Sequence, residues 1–341
     1  MELDSRVAGS QERPAPRAAR PKAPLWRRAL PLIGLAILVY ILSRMDGAGM
    51  KHALGRVSAS TLVLAAAAFS GNLFLKAFRW QRLLKAQQID LPGRVSMAAF
   101  LSGQFYAQVT LGRVGEFFRV EALIERGVSA GTALASCVFD RLLDVFIVFG
   151  LGAVFATRVL ADRQLAWIAL AALLLAAVCL AMLLRYAVPA PLGAEPTRFQ
   201  SALTALEGRR FLGKLVYSVR ELLQGMLPML KPRVLAEALL WSAISWFGYF
   251  EALFQLADGL SIAVSRVLLT ATAAFAALSA LLPVTVSGLG ARELIYIQVL
   301  ENHGVANETA VVLSLLHLFI MSICATGFGF LGVIWRQRQR S

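Results

Sequence analysis

Apolar runs closed by basic residues organise this chain, and a membrane span needs roughly 20 apolar residues. The first run covers about 26–44, with Trp26 and Tyr40 as interface anchors. A loop from Arg44 to Val57 leads to the second, about 58–78. That run ends in LKAFRWQRLLK, residues 75–85, which predicts Lys76, Arg79, Arg82 and Lys85 at a cytoplasmic face. Later runs cover 128–157, a charge-free 164–184, 234–257, 262–282 and about 307–334. The segment 185–233 is basic and is predicted to be cytoplasmic. Within it, Phe211, Leu215, Val219, Leu222 and Met226 follow helical spacing, predicting an amphipathic helix on the inner leaflet.

Two stretches break the apolar pattern in the same way. Residues 112–128 read GRVGEFFRVEALIERGV, and residues 289–305 read LGARELIYIQVLENHGV. Laying Glu116 on Glu293 sets an offset of 177 (293 − 116), which also aligns Gly127 with Gly304, Val128 with Val305 and Ala133 with Ala310. Upstream, Val109-Thr110 matches Val284-Thr285 at an offset of 175 (284 − 109). Gly112 and Gly115 in the first copy, and Gly288 and Gly290 in the second, permit close backbone approach or positive φ. A helix is predicted to start at Glu116, where free N–H groups suit an anion. Paired broken helices are how many transporters build a mid-membrane site.

Charge placement then fixes a topology. The loops 76–94 and 185–233 both read as cytoplasmic, with two spans between them. Residues 95–126 therefore enter from the cytoplasm and return to it. Residues 262–303 start and end outside if the basic tail after Trp335 is inside. The two hairpins are then inverted, unless 262–282 crosses completely.

Composition agrees with a membrane protein. Hydrophobic residues are 58% of 341 and charged residues 16%, far from a soluble enzyme. The net charge of +14 sits at the ends of apolar runs, which argues for anionic lipid headgroups and against nucleic acid. Cys137, Cys179 and Cys324 lie inside apolar stretches without paired spacing, so neither disulfides nor a metal site is expected. Residues 1–24, rich in Pro, Ala and Arg, read as a disordered cytoplasmic tail before an uncleaved anchor. No nucleotide, zinc-protease or nucleophile-elbow motif is present, so no catalytic residue and no cofactor is predicted.

Ionisable groups inside the bilayer cost at least ~2.5–3.5 kcal/mol each and need a reason. At the first break, Glu116 reads as a proton- or cation-sensitive gate, with Arg113 or Arg119 as counter-charge to a headgroup phosphate. Alternatively, Glu116 caps its own helix and Arg119 pairs with it at i, i+3. Asp140, Arg141 and Asp144 fall near the middle of 128–157, with Arg141 in reach of Asp144. That trio carries one negative charge too many, so either a carboxyl is protonated or Arg113, Arg119 or Arg292 balances it; an architectural ion clamp is the other reading. Arg292 and Glu293 repeat the pattern in the second copy. Glu251, in an aromatic stretch, is a candidate for the translocation path, while Glu237 reads as interfacial. His317 matches Asp140 (317 − 177) and reads as a packing residue, and His52 and His303 as loop residues.

Arg79-Trp80 to Leu84, GRVGEFFR at 112–119, DRLLD at 140–144 and LPVTVSGLGARE at 282–293 resemble the membrane region of lysylphosphatidylglycerol synthases, shared with flippase-like integral membrane proteins. The resemblance covers roughly 60–335. Where that family usually has a proline before the first glycine, this chain has Leu111; Pro283 keeps it in the second copy. The full synthase carries a C-terminal aminoacyl-transferase domain, so the resemblance implies the stand-alone flippase unit.

Together these readings predict an all-α polytopic membrane protein with about six full spans and two glycine-broken re-entrant hairpins forming an inverted repeat. The expected organisation is a tail (1–24), one transmembrane domain (25–335) and a basic cytoplasmic tail (336–341). Within the domain, repeat one covers about 95–157 and repeat two about 262–334. The expected role is movement of a phosphate-bearing lipid, phospholipid or polyprenyl phosphate, across a bacterial inner membrane, with both termini cytoplasmic. Its partners would be lipids with anionic or zwitterionic headgroups, and a second copy or a soluble synthase is an open partner. A membrane-embedded headgroup transferase, or a membrane partner of a soluble lipid-modifying enzyme, is the alternative.

Overall fold

A computed structural model describes residues 25–159, 212–279 and 288–340, and among these every regular element is helical. Helix α1 (Leu25–Arg44) is followed by α2 (Gly47–Gly55), where a loop was expected. The Asp46 carboxylate accepts from the Ala48 and Gly49 N–H groups and so starts α2, which places His52 on a helix. Ser58 caps α3 (Ala59–Ala86) by accepting the Thr61 N–H. There follow α4 (Gly93–Val109), a 3₁₀ segment (Leu111–Val120), the one-turn α5 (Glu121–Ile124) and α6 (Ala130–Val159). The second half holds α7 (Leu212–Met226), a 3₁₀ turn (Leu227–Leu230), α8 (Pro232–Gly259), α9 (Arg266–Ser279), α10 (Ala291–Glu301) and α11 (Asn307–Arg340).

The sequence repeat is a repeat of elements. Helices α3 and α8 are both 28 residues long. Each ends before a residue at positive φ, Gln88 at 63° and Ser261 at 57°. Both α8 and α9 start 173 residues after their counterparts α3 and α4 (232 − 59 and 266 − 93). After the breaks the offset is 177, and the backbone bonds repeat with it. Gly127 and Gly304 take positive φ, the Val128 and Val305 N–H groups bond to Leu123 and Leu300, and Ala133 and Ala310 each cap back four residues.

Helices α3 and α8 run antiparallel along their whole length. From one end to the other, Thr61 meets Gly259, Phe69 faces Tyr249, Asn72 donates to the Ser245 carbonyl, Phe78 faces Trp241 and Arg82 pairs with Glu237. Helices α4 and α9 are exchanged between halves, since α4 packs on α11 and α9 packs on α6. Glycine allows the first of these crossings. A Cβ on Gly329 or Gly332 would fall 2.7 or 2.8 Å from the carbonyl oxygens of Leu101 and Ala98.

The first hairpin departs from expectation in its return arm. No α-helix starts at Glu116; the chain after Thr110 is a 3₁₀ segment pressed against α4, with only one α-turn at Glu121–Ile124. A Cβ at Gly115 would collide with the backbone of Tyr106 and Ala107, and one at Gly103 would fall 2.9 Å from the Glu116 carbonyl oxygen. Glycine is needed there for close approach, and the tighter coil follows from the crowding. Thr110 Oγ1 accepts the Gly115 N–H at 2.7 Å and closes the tip.

The amphipathic helix forms as α7; its C-terminal part packs on protein, while Tyr217 and Val219 are exposed. Leu223, Met226 and Met229 pack with Leu83 of α3 and with Ala135, Phe139 and Leu143 of α6. The basic tail after Trp335 continues α11 as helix up to Arg340. Among the described residues, α3 and the Asn307–Gln339 part of α11 are long and apolar enough to cross a membrane. Helix α9 has 14 residues, or about 21 Å. The expectations for 1–24, 164–184 and Pro283 lie outside the described residues.

Candidate functional site

Helices α3, α4, α6, α8, α9 and α11 and both breaks surround one cavity of about 1020 Å³, its open mouth included. Its wall carries Lys76, Arg113, Arg141 and Arg292 as cations and Glu116, Asp140 and Asp144 as carboxylates. Aromatic and aliphatic side chains, Phe69, Phe100, Trp246, Tyr249 and Val148 among them, complete it.

Two of the central cations come from α3. Arg79, fully buried, spends all five N–H groups. Its Nε and Nη2 donate to Asp140 Oδ1 at 2.9 and 2.6 Å, with Nη2 also on the Asp140 carbonyl at 3.1 Å. Its Nη1 donates to Asp144 Oδ1 at 3.0 Å and to Ser242 Oγ at 2.6 Å. Lys76 reaches the other Asp144 oxygen at 3.0 Å and lies 4.5 Å from the Trp246 ring centroid. The Trp246 indole N–H donates to Asp144 Oδ1 at 3.2 Å.

The sequence had placed Lys76 and Arg79 at the cytoplasmic face with Arg82 and Lys85. Only the last two are exposed. The signal that could have found the others is Asn72, a polar residue inside the apolar run. With Lys76 and Arg79 it forms an i, i+4, i+7 stripe on the face that α3 turns inward.

Arg119 donates to Asp140 Oδ2 at 2.9 Å and lies 5.0 Å from both the Trp80 and Phe100 ring centroids. It pairs with Asp140 rather than with Glu116. Glu116 is held by Arg113 Nε at 2.8 Å and by Arg141, which reaches it instead of Asp144. Arg113 takes a left-handed φ of 57° and also donates to Gln104 Oε1 at 2.9 Å. The charge balance therefore reverses the expectation. Lys76, Arg79, Arg113, Arg119, Arg141 and Arg292 outnumber Glu116, Asp140 and Asp144, even with Glu293 added.

In the second break, α10 starts at Gly290, whose φ is 85°. The Glu293 carboxylate reaches back to the Gly290 N–H at 2.6 Å and accepts from Ser314 Oγ at 3.0 Å. Glu293 thus caps its own helix, fully buried. Gly290 lies against the Gly34 carbonyl and Ile37 of α1, and Gly288 is at φ 83°. Arg292 faces the cavity, with Nε on Ser314 Oγ at 3.1 Å and Nη2 on His317 Nδ1 at 2.9 Å.

Of the residues singled out from sequence, Arg113, Glu116, Asp140, Arg141, Asp144 and Arg292 share the cavity wall. Arg119 and Glu293 stand behind it. Glu251 is elsewhere on α8, accepting from Gln255 one turn on at 2.6 Å. Gly112 is part of the 3₁₀ segment. Among the described residues no His, Cys, Asp or Glu cluster could hold a metal ion. The arrangement suits an anion with apolar attachments, because desolvated cations in surplus sit among aromatic walls.

The family model described as "Lysylphosphatidylglycerol synthase TM region" matches residues 30–329. No curated protein matches the chain.

Proposed function

The chain belongs to the lysylphosphatidylglycerol synthase TM region family, which makes it a membrane protein tied to lipid modification or transport, and from that premise we propose a lipid flippase. The cavity receives a phosphate-bearing headgroup while the acyl or prenyl chains stay in the bilayer. The observation that carries the reading is the surplus of cations over carboxylates around a cavity walled by aromatic side chains. Lysylphosphatidylglycerol, the lipid in the family's description, and its parent phosphatidylglycerol are the first substrates to try. Polyprenyl phosphates present the same anionic chemistry.

Alternating access follows from the halves. We read the two breaks as re-entrant hairpins and the halves as an inverted pair; the antiparallel, equal-length α3 and α8 and the exchanged packing of α4 and α9 support this. Glu116 then acts as the gate, since its two arginines, Arg113 and Arg141, are the cations a phosphate could draw away. Reconstitution into liposomes with headgroup-labelled phosphatidylglycerol tests the proposal. The expected result is exchange between leaflets faster than in protein-free vesicles, slowed in Glu116→Gln. Equal rates with and without protein, for each of these lipids, would defeat it.

A further inference from the structure

Arg292 is the cavity cation held by neutral groups. Its partners are Ser314 Oγ and His317 Nδ1, with the Met321 sulfur at 3.9 Å. A guanidinium only donates, so Nδ1 must accept, and His317 is neutral with its hydrogen on Nε2. The ring is fully buried one side chain behind the cavity wall. Tyr249 of α8 packs on it at 4.8 Å between centroids, and the Tyr296 hydroxyl of α10 is 3.4 Å from the same Nδ1.

The groups facing this corner leave little else to set its charge. From α10, Glu293 is occupied by the Gly290 N–H and Ser314. From α3, Lys76 is bound to Asp144, and from α6, Asp140 and Asp144 are bound to α3 arginine and lysine. From the first hairpin, Arg113 is bound to Glu116, while α4 offers the neutral Gln104 and Gln108.

A protonated ring has donors on both nitrogens and cannot accept from Arg292. Two arrangements pair Nδ1 and place the cation differently: neutral His317 with Arg292 docked on it, or charged His317 donating to the Tyr296 hydroxyl with Arg292 turned into the cavity. An anion in the cavity favours the second. We infer that anion capture by Arg292 loads one proton onto His317 Nδ1, so that headgroup and proton enter the site together. This rests on the anion-binding reading of the cavity. No covalent bond of the ligand changes; the proton comes from water at the cavity mouth and leaves when the anion departs and Arg292 redocks.

The chain has three histidines, His52, His303 and His317, so ¹⁵N-histidine labelling of the full protein in detergent gives a short spectrum. The probe is dihexanoylphosphatidylglycerol, whose phosphodiester keeps one charge between about pH 5 and 8, where histidine titrates. Without probe, the signal missing from His317→Asn should report a neutral ring with hydrogen on Nε2. Saturating probe should convert it to imidazolium. Affinity should strengthen as pH falls, by at most about tenfold per unit for one linked proton. His317→Asn, which keeps an oxygen to accept from Arg292, should bind with a flat pH profile. Probe binding to wild type with His317 still neutral, or with an affinity independent of pH, would overturn the inference and leave the cavity reading intact. No probe binding at any pH would overturn both.

Discussion

The two breaks place different acceptors at matching points. In the first half Asp140 receives Arg79 and Arg119, and Glu116 receives Arg113 and Arg141, so each carboxylate holds two guanidinium groups. At an offset of 177 the second half puts Ser314 for Cys137 and His317 for Asp140, and one arginine rests on both. Closely similar turns thus carry an ionic lock on one side and a chargeable rest on the other. Of these pairs, those that the fully buried Arg79 and Arg119 make with Asp140 are costly to break and suit a fixed frame. A cation held by neutral acceptors can leave for a ligand at smaller cost, which suits the moving part.

Arg79→Leu is the strongest way to break this contrast. It strips Asp140 and Asp144 of their shared partner and should cost about 3–5 kcal/mol in detergent unfolding. Arg292→Leu, which strands no carboxylate, should cost clearly less; equal losses would erase the distinction between the halves. Gly115→Ala comes next, since its Cβ collides with the Tyr106–Ala107 backbone, and overpacking of this kind costs about 1–3 kcal/mol. Ser314→Ala removes the hydroxyl shared by Arg292 and Glu293, with an expected loss of about 1–2 kcal/mol by the same assay. The smallest effect is expected at the exposed Arg82–Glu237 pair, where Glu237→Gln should change stability by less than about 1 kcal/mol. A larger change there would mean that the α3–α8 end is clamped electrostatically.

Much of this was legible before any coordinates. The repeat around Glu116 and Glu293 shows as sequence because both copies need the same turn at Gly127 and Gly304. The charges inside apolar runs marked Asp140, Arg141 and Asp144, and the amphipathic spacing marked α7. Their partners were hidden for a physical reason. Basic residues at the end of an apolar run look the same whether they meet headgroups or turn inward, so Lys76 and Arg79 passed as flanking charges. Helical spacing offered Arg141 the nearby Asp144, but the crossing of the first hairpin brings Glu116 closer. The 3₁₀ return arm was invisible because it follows from Gly115 touching α4, a contact between segments. Glu251 is the converse case, a carboxylate in an apolar stretch that accepts from Gln255 of its own helix.

The exchange of α4 and α11 has a consequence for biogenesis. About 200 residues separate the end of α4 from the start of α11, so at about 5–20 residues per second the ribosome needs tens of seconds to deliver the second after the first. Until then the flank of α4 around Ala98, Leu101 and Phe105 has only lipid, or an insertion chaperone, to lean on. A nascent chain halted before Asn307 would expose that flank as a degradation signal.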